Sequence, residues 1–234
     1  MRMIYPAQCL GCGGIVHSEF GLCGPCWSQT PFIHGAACAQ CSAPLLGPQI
    51  DQSDLCDGCH EAARPWSQGR AVLRYSGNGR KLVLGLKHAD RTDIAPTVGR
   101  WMARKVRDLV HPDTIVLPIP LHWGRTFRRK YNQSALLAAA IAKTLKLSTY
   151  SDVLVRPQAT RPLEHVSKDE RYARLNKAIR VHRGAIDKIY GKSVLLVDDV
   201  MTSGATLDAA ARACLEAGAK EIDIVVLARA VKDD

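Results

Sequence analysis

The chain has 234 residues, 47% hydrophobic and 23% charged, with a formal net charge of +10. Such a chain can bury one or two ordinary cores, which excludes disorder as its main state. No apolar run reaches the roughly eighteen residues of a membrane helix, and the N-terminal MRMIYPAQCL has neither an apolar h-region nor a small-residue cleavage site, so a cytoplasmic chain without a signal peptide is expected.

Charge and cysteine divide the chain at one place. Residues 1–62 hold one base, Arg2, and five acids (Glu19, Asp51, Asp54, Asp57, Glu61), a net of −4. The remainder holds 31 bases and 17 acids, a net of +14. Eight cysteines lie between Cys9 and Cys59, and only Cys214 lies beyond. Two modules are therefore expected, 1–62 and 63–234. The positive surplus on the second calls for an anionic partner: a phosphorylated small molecule, a nucleic acid, or both.

The eight cysteines form four CxxC pairs: Cys9 and Cys12, Cys23 and Cys26, Cys38 and Cys41, Cys56 and Cys59. A CxxC turn presents two thiolates to one ion, and two such turns complete a tetrahedral zinc site. Gly11, Gly13, Gly24, Pro25 and Gly58 suit the tight knuckles this needs. A disulfide framework is disfavoured in a reducing compartment, and four regular pairs exceed what a thioredoxin-like motif uses. Two structural Zn²⁺ ions are expected, with no ligand position left for water. Sequential pairing gives a double zinc ribbon and interleaved pairing a cross-brace; loop entropy favours the sequential form. With both ions bound the first module is strongly acidic, so it is not the expected nucleic-acid binder.

In the larger module, residues 71–75 read as a strand. Leu82, Val83 and Leu86 then recur at helical spacing, with Lys81 and Lys87 on the polar side. Residues 94–110 carry a helical apolar stripe of Ile94, Val98, Met102, Val106 and Leu109. A buried strand is expected at 114–120, an Ala/Leu-rich helix from Asn132 to about Leu147, and a short strand at 153–155. The polar, Pro-interrupted segment 156–177 has the length and basic character of an active-site lid. Apolar runs at 194–198 and 222–228 flank a helix from about Ala205 to Ala217, stopped by Gly218. Cys214 shares a face of that helix with Leu207 and Ala210 and reads as a core residue. Alternating strands and helices mean a parallel α/β sheet.

The chemical centre is VLLVDDVMTSGAT, residues 194–206. A buried strand runs into Asp198 and Asp199, a loop of small hydroxyl and glycine residues follows, and a helix begins. Ligands of parallel sheets sit at the carboxyl ends of strands. A helix N-terminus behind a glycine turn aims amides at an anion, and Thr202, Ser203 and Thr206 can add hydroxyl donors. An NTPase reading of the same strand fails: Gly191-Lys192-Ser193 precedes a strand instead of following one, and the first glycine of the required loop falls on Ile186.

Residues 194–206 resemble the signature of type I phosphoribosyltransferases, which bind 5-phosphoribosyl-1-pyrophosphate (PRPP). The resemblance implies that Asp198 and Asp199 contact the ribose hydroxyls. It assigns the 5′-phosphate to the loop Val200, Met201, Thr202, Ser203, Gly204, Ala205 and Thr206. Residues 117–142, LPIPLHWGRTFRRKYNQSALLAAAIA, resemble the ComF-type competence proteins, as do Tyr75, Gly77 and Lys87, Arg171 and Asn176, and the cysteine-rich module ahead of the sheet. Arg129-Lys130-Tyr131 departs from the family's usual Arg-Gly-Phe, and His165 stands where a Gln is common. Together these imply a Rossmann-like type I phosphoribosyltransferase domain preceded by a double zinc-ribbon module. The implied chemistry is displacement of Mg²⁺-pyrophosphate at ribose C1, with the leaving group on the loop of Leu121, His122, Arg125, Arg128 and Arg129. Arg161 and Arg171 then sit on the flexible catalytic loop. Family members are often labelled amidophosphoribosyltransferase, but Arg2 stands where that chemistry needs a cysteine, so glutamine-dependent amidotransfer is not expected. The rival reading is a single-stranded-DNA-binding factor of DNA uptake, working beside recombination proteins with little turnover; an aromatic content of 6% leaves few stacking platforms for it.

Overall fold

The computed structural model describes residues 6–16, 21–45, 54–88, 91–121, 131–157 and 178–231. Single-turn helices α1 (Gly24–Ser28) and α2 (Asp57–Glu61) lead to β1 (Gly69–Arg74), α3 (Gly77–His88), α4 (Ile94–Lys105) and β2 (Ile115–Pro118). Then come α5 (Gln133–Leu145), β3 (Ser148–Thr149), β4 (Leu154–Val155), β5 (Arg180–Val181) and a 3-10 turn at Arg183–Ala185. The chain ends with α6 (Ile186–Ile189), β6 (Ser193–Met201), α7 (Ala205–Glu216) and β7 (Glu221–Arg229).

Five strands form one parallel sheet in the order β1-β7-β6-β2-β3. β4 and β5 form a separate antiparallel pair. Alternation along β6 serves both faces. Val194 and Leu196 join one core with Leu207, Ala210 and Cys214 of α7. Leu195 and Val197 join the other with Val98 and Met102 of α4 and with Leu137 and Ile141 of α5. A strand covered on both faces reads as a continuous apolar run, which is why 194–198 has no polar alternation. Cys214 is wholly buried, and burial pushes its thiol up to about 12. α7 stops as its sequence suggests: Gly218 takes φ 88°, Ala219 N–H donates to Cys214 O at 3.0 Å, and Gly218 N–H to Leu215 O at 2.9 Å. This is a Schellman ending.

The two ribbons repeat one design. An antiparallel bridge joins Gln8 to Ile15 in the first and Ala37 to Pro44 in the second. Left-handed residues follow the first CxxC of each, Gly13 at φ 77° and Ser42 at φ 57°. A serine accepts that geometry because its buried hydroxyl takes the Ala71 N–H of β1 at 2.9 Å. The ribbons flank the sheet from opposite faces. Cys9 lies in the core beneath α4, whereas Cys38, Cys41 and Cys59 lie in the core beneath α7. Between them, residues 31–33 run antiparallel to β1: Phe32 bridges Leu73, and Ile33 N–H donates to Val72 O at 2.9 Å.

Candidate functional site

Each cysteine set gathers into one cluster, Cys9, Cys12, Cys23 and Cys26, then Cys38, Cys41, Cys56 and Cys59, with the four sulfurs of each within 4.8 Å of one another. The pairing is thus sequential. A tetrahedral zinc with Zn–S bonds near 2.3 Å needs sulfurs about 3.8 Å apart. Cys9–Cys23 at 3.6 Å, Cys12–Cys23 at 3.7 Å and Cys41–Cys56 at 3.5 Å fit that spacing, and none of these cysteines is in a disulfide. In each cluster the third cysteine caps a single-turn helix and the fourth lies within it, Cys26 in α1 and Cys59 in α2. Four thiols fill the tetrahedron, so these are structural zinc sites.

The acid pair lies near the carboxyl end of β6, the central strand of the sheet. β2 and β6 are neighbours, yet the chain leaves β2 for α5 on one face and leaves β6 for α7 on the other. The crevice above their carboxyl ends is therefore the switch point of the topology. Asp198 and Asp199 lie within β6, whose ladder with β7 runs on to Met201. The strand thus runs three residues past the apolar run that ends at residue 198. Asp199 is buried, with Lys87 Nζ of α3 at 3.1 Å from Oδ1. Asp198 is half-buried; its Oδ1 accepts from Ser134 Oγ at 2.8 Å and from the Asp199 N–H at 2.9 Å. Loss of water and the neighbouring Asp199 charge push the Asp198 carboxyl up to about 7, against the pull of Ser134 and Lys87.

Ser134 is placed by the start of α5. Asn132 caps that helix, accepting the Ser134 N–H at 3.0 Å while its amide donates to Ile119 O at the exit of β2, also at 3.0 Å. Beyond the acids, Thr202 and Ser203 are exposed, Thr206 is half-buried, and Val200 and Met201 end the strand. Gly204 caps α7 at φ 83°, and a Cβ there would come 2.7 Å from Met201 Cε. Only glycine fits that turn. Leu121 is half-buried just past β2. His122, Arg125, Arg128, Arg129, Arg161, Arg171 and Asn176 lie outside the described residues. Lys87 and Ser134 are the residues whose site roles sequence motifs alone did not assign. Lys87 belongs to the Tyr75–Gly77–Lys87 segment, and Ser134 follows Asn132-Gln133, but neither spacing says which carboxylate each would meet.

A parallel sheet with paired acids and a glycine turn at its central strand, fronted by two four-cysteine sites, defines a zinc-ribbon protein with a phosphoribosyltransferase-type fold. The double zinc ribbon domain family matches residues 1–60, and the phosphoribosyl transferase domain family matches residues 132–233. More particularly, the chain belongs to the ComF-type family of DNA utilization and competence proteins. It is 31% identical to the DNA utilization protein YhgH of Salmonella typhimurium over 218 residues, 91% of this chain and 92% of that one. It is 27% identical to Competence protein F of Haemophilus influenzae, over 98% of this chain and 100% of that one. Among solved structures, the allosteric regulatory enzyme of purine biosynthesis covers 62% of this chain and 30% of its own, at 17% identity and a TM-score of 0.42. Among the described residues, no helix is long and apolar enough to cross a membrane.

Proposed function

We propose that the chain binds PRPP at the end of β6 and transfers its phosphoribosyl group, in the service of DNA uptake or use. One observation carries this reading: Asp198 and Asp199 stand at the carboxyl end of the central strand, directly ahead of the Thr202–Thr206 turn that opens α7. The carboxylates offer acceptors to the ribose 2′- and 3′-hydroxyls. The hydroxyls of Thr202, Ser203 and Thr206, with amides at the head of α7, suit the 5′-phosphate. At C1 the bond to the acceptor forms as the bond to the pyrophosphate oxygen breaks. The protein's work is to hold the ribose while charge shifts to the leaving group.

Mg²⁺ bound with the pyrophosphate would neutralise that leaving group. The acids themselves are not built as a bare cation site, since Lys87 already pairs with Asp199 and Ser134 already donates to Asp198. The relatives' names bring DNA to the reading. The net charge of +10 favours a second one, in which single-stranded DNA binds weakly to the basic module with steep salt dependence.

Calorimetry with PRPP in millimolar Mg²⁺ tests the first reading. One saturable site per chain is expected. Asp199→Asn keeps the size, removes the charge, turns half the group into a donor and leaves Lys87 without its counter-charge. Charged hydrogen bonds are worth about 1.5–3 kcal/mol, so affinity should fall about tenfold or more. No binding to the wild type, or equal binding by a folded Asp199→Asn, would overturn the reading.

A further inference from the structure

Two arginines stand between the second cysteine cluster and the turn that opens α7. Arg229 closes β7. Its Nη1 donates to Met201 O at 3.1 Å and to Thr202 O at 2.6 Å, and its Nη2 lies 3.8 Å from Cys41 Sγ. Arg64 follows α2. Its Nη1 donates to Ser203 O at 3.2 Å. A side-chain hydrogen bond also links Arg64 to Cys59. The Arg64 guanidinium lies 5.5 Å from the Trp66 ring, and Trp66 Nε1 donates at 2.8 Å to Gln40 O, between Cys38 and Cys41.

We infer that Arg229 and Arg64 are positioning residues that couple the zinc site of Cys38, Cys41, Cys56 and Cys59 to the geometry of the Met201–Gly204 turn. Three successive carbonyls, those of Met201, Thr202 and Ser203, face the arginines. In a trans peptide the N–H points opposite to its C=O, and no peptide here is cis among the described residues. The amides of Thr202, Ser203 and Gly204 are thereby turned away from the arginines, on a turn whose Thr202 and Ser203 are exposed. That is the orientation an anion needs. Charge supports the coupling: four thiolates around Zn²⁺ carry a formal −2, which the two guanidiniums balance. Packing does too, since a Cβ on Gly204 would come 3.4 Å from Arg64 Nη1 and 3.5 Å from Trp66 Cη2. The first cluster lies on the other face of the sheet.

Zinc release to a chromogenic chelator tests this without any ligand. Cys9→Ser and Cys38→Ser each leave one intact site and so assign the two release phases. Gly204→Ala disturbs the turn and should speed release from the second site about tenfold while leaving the first unchanged. In an Arg64→Met, Arg229→Met background, where second-site release is already fast, Gly204→Ala should add nothing, and Arg229→Lys should restore part of the coupling. If Gly204→Ala leaves second-site release unchanged, or acts equally with and without the arginines, the inference is overturned. The ligand arm rests on the proposed function. By reciprocity, ribose 5-phosphate should tighten zinc at the second site only, read as a shift in its equilibrium competition with the chelator. A non-additive cycle with no response to ribose 5-phosphate supports the coupling and counts against the proposed site. Calorimetric binding of ribose 5-phosphate with an additive cycle does the reverse.

Discussion

Asp198 and Asp199 are neighbours in sequence with unlike surroundings, and the difference has a measurable sign. Asp199 meets a cation, whereas Asp198 meets a hydroxyl and an amide, and it is the Asp198 carboxyl that rises to about 7. In the unfolded chain the same group titrates near 3.9. Between those values the folded protein holds a proton that the unfolded chain has released. The stability tied to Asp198 is therefore full below about pH 4 and is lost as pH rises through 7. Asp198→Asn should remove that loss, so its urea midpoint should gain on the wild type between pH 5 and pH 8. A gain in the opposite direction, or none, would refute the assignment. The acids and their turn were legible because strand, carboxylates and glycine turn lie within thirteen consecutive residues. Lys87 and Ser134 were not, because α3 and α5 deliver them across the fold.

At the scale of elements, the start of α5 does two jobs through one side chain. Asn132 caps the helix and ties it to the exit of β2, so Ser134 is held where Asp198 can accept from it. Asn132→Ala should cost about 1 kcal/mol and lower Tm by about 2–4 °C for a chain of this size. Asn132→Asp keeps the acceptor and loses the donor, so it should fall between the two in a thermal melt; a loss equal to that of Ala would show that the tie to β2 carries the effect. The long elements were legible from their apolar period, but their ends were not. β6 runs to Met201 because β7 continues to pair with it, and no local signal marks that partner. α4 stops at Lys105, short of the stripe's last members, where Val106 leaves helical geometry at φ −113°, ψ 8°. β3, β4 and β5 span two residues each, too few to show any period.

For the whole molecule, charge and cysteine suggested two modules, and the fold knits them together. Ile33, Cys38, Cys41 and Cys59 share a core with Ile224 of β7 and Leu207 of α7, while Cys9 and Leu22 share the other with Val98 of α4. Removing residues 1–62 would strip both faces, so DNA binding by the basic module is better tested in the full chain. Purified protein should carry two zinc ions by elemental analysis. Cys38→Ser should lose one of them and unfold at lower urea as a single transition; iron in their place, or unchanged metal content in the variant, would contradict the assignment. The sheet's two borders are guarded by different means. β3 is too short to recruit another strand, whereas β1 has six residues and is screened by residues 31–33, strung between the two zinc clusters, and by the second ribbon, whose Ala39 carbonyl and Ser42 hydroxyl take the Gly69 and Ala71 N–H groups. An uncovered border of that length is a template for strand-to-strand association between copies. Metal therefore guards solubility as well as shape: the zinc clusters that anchor residues 31–33 and the second ribbon also keep that sticky margin covered.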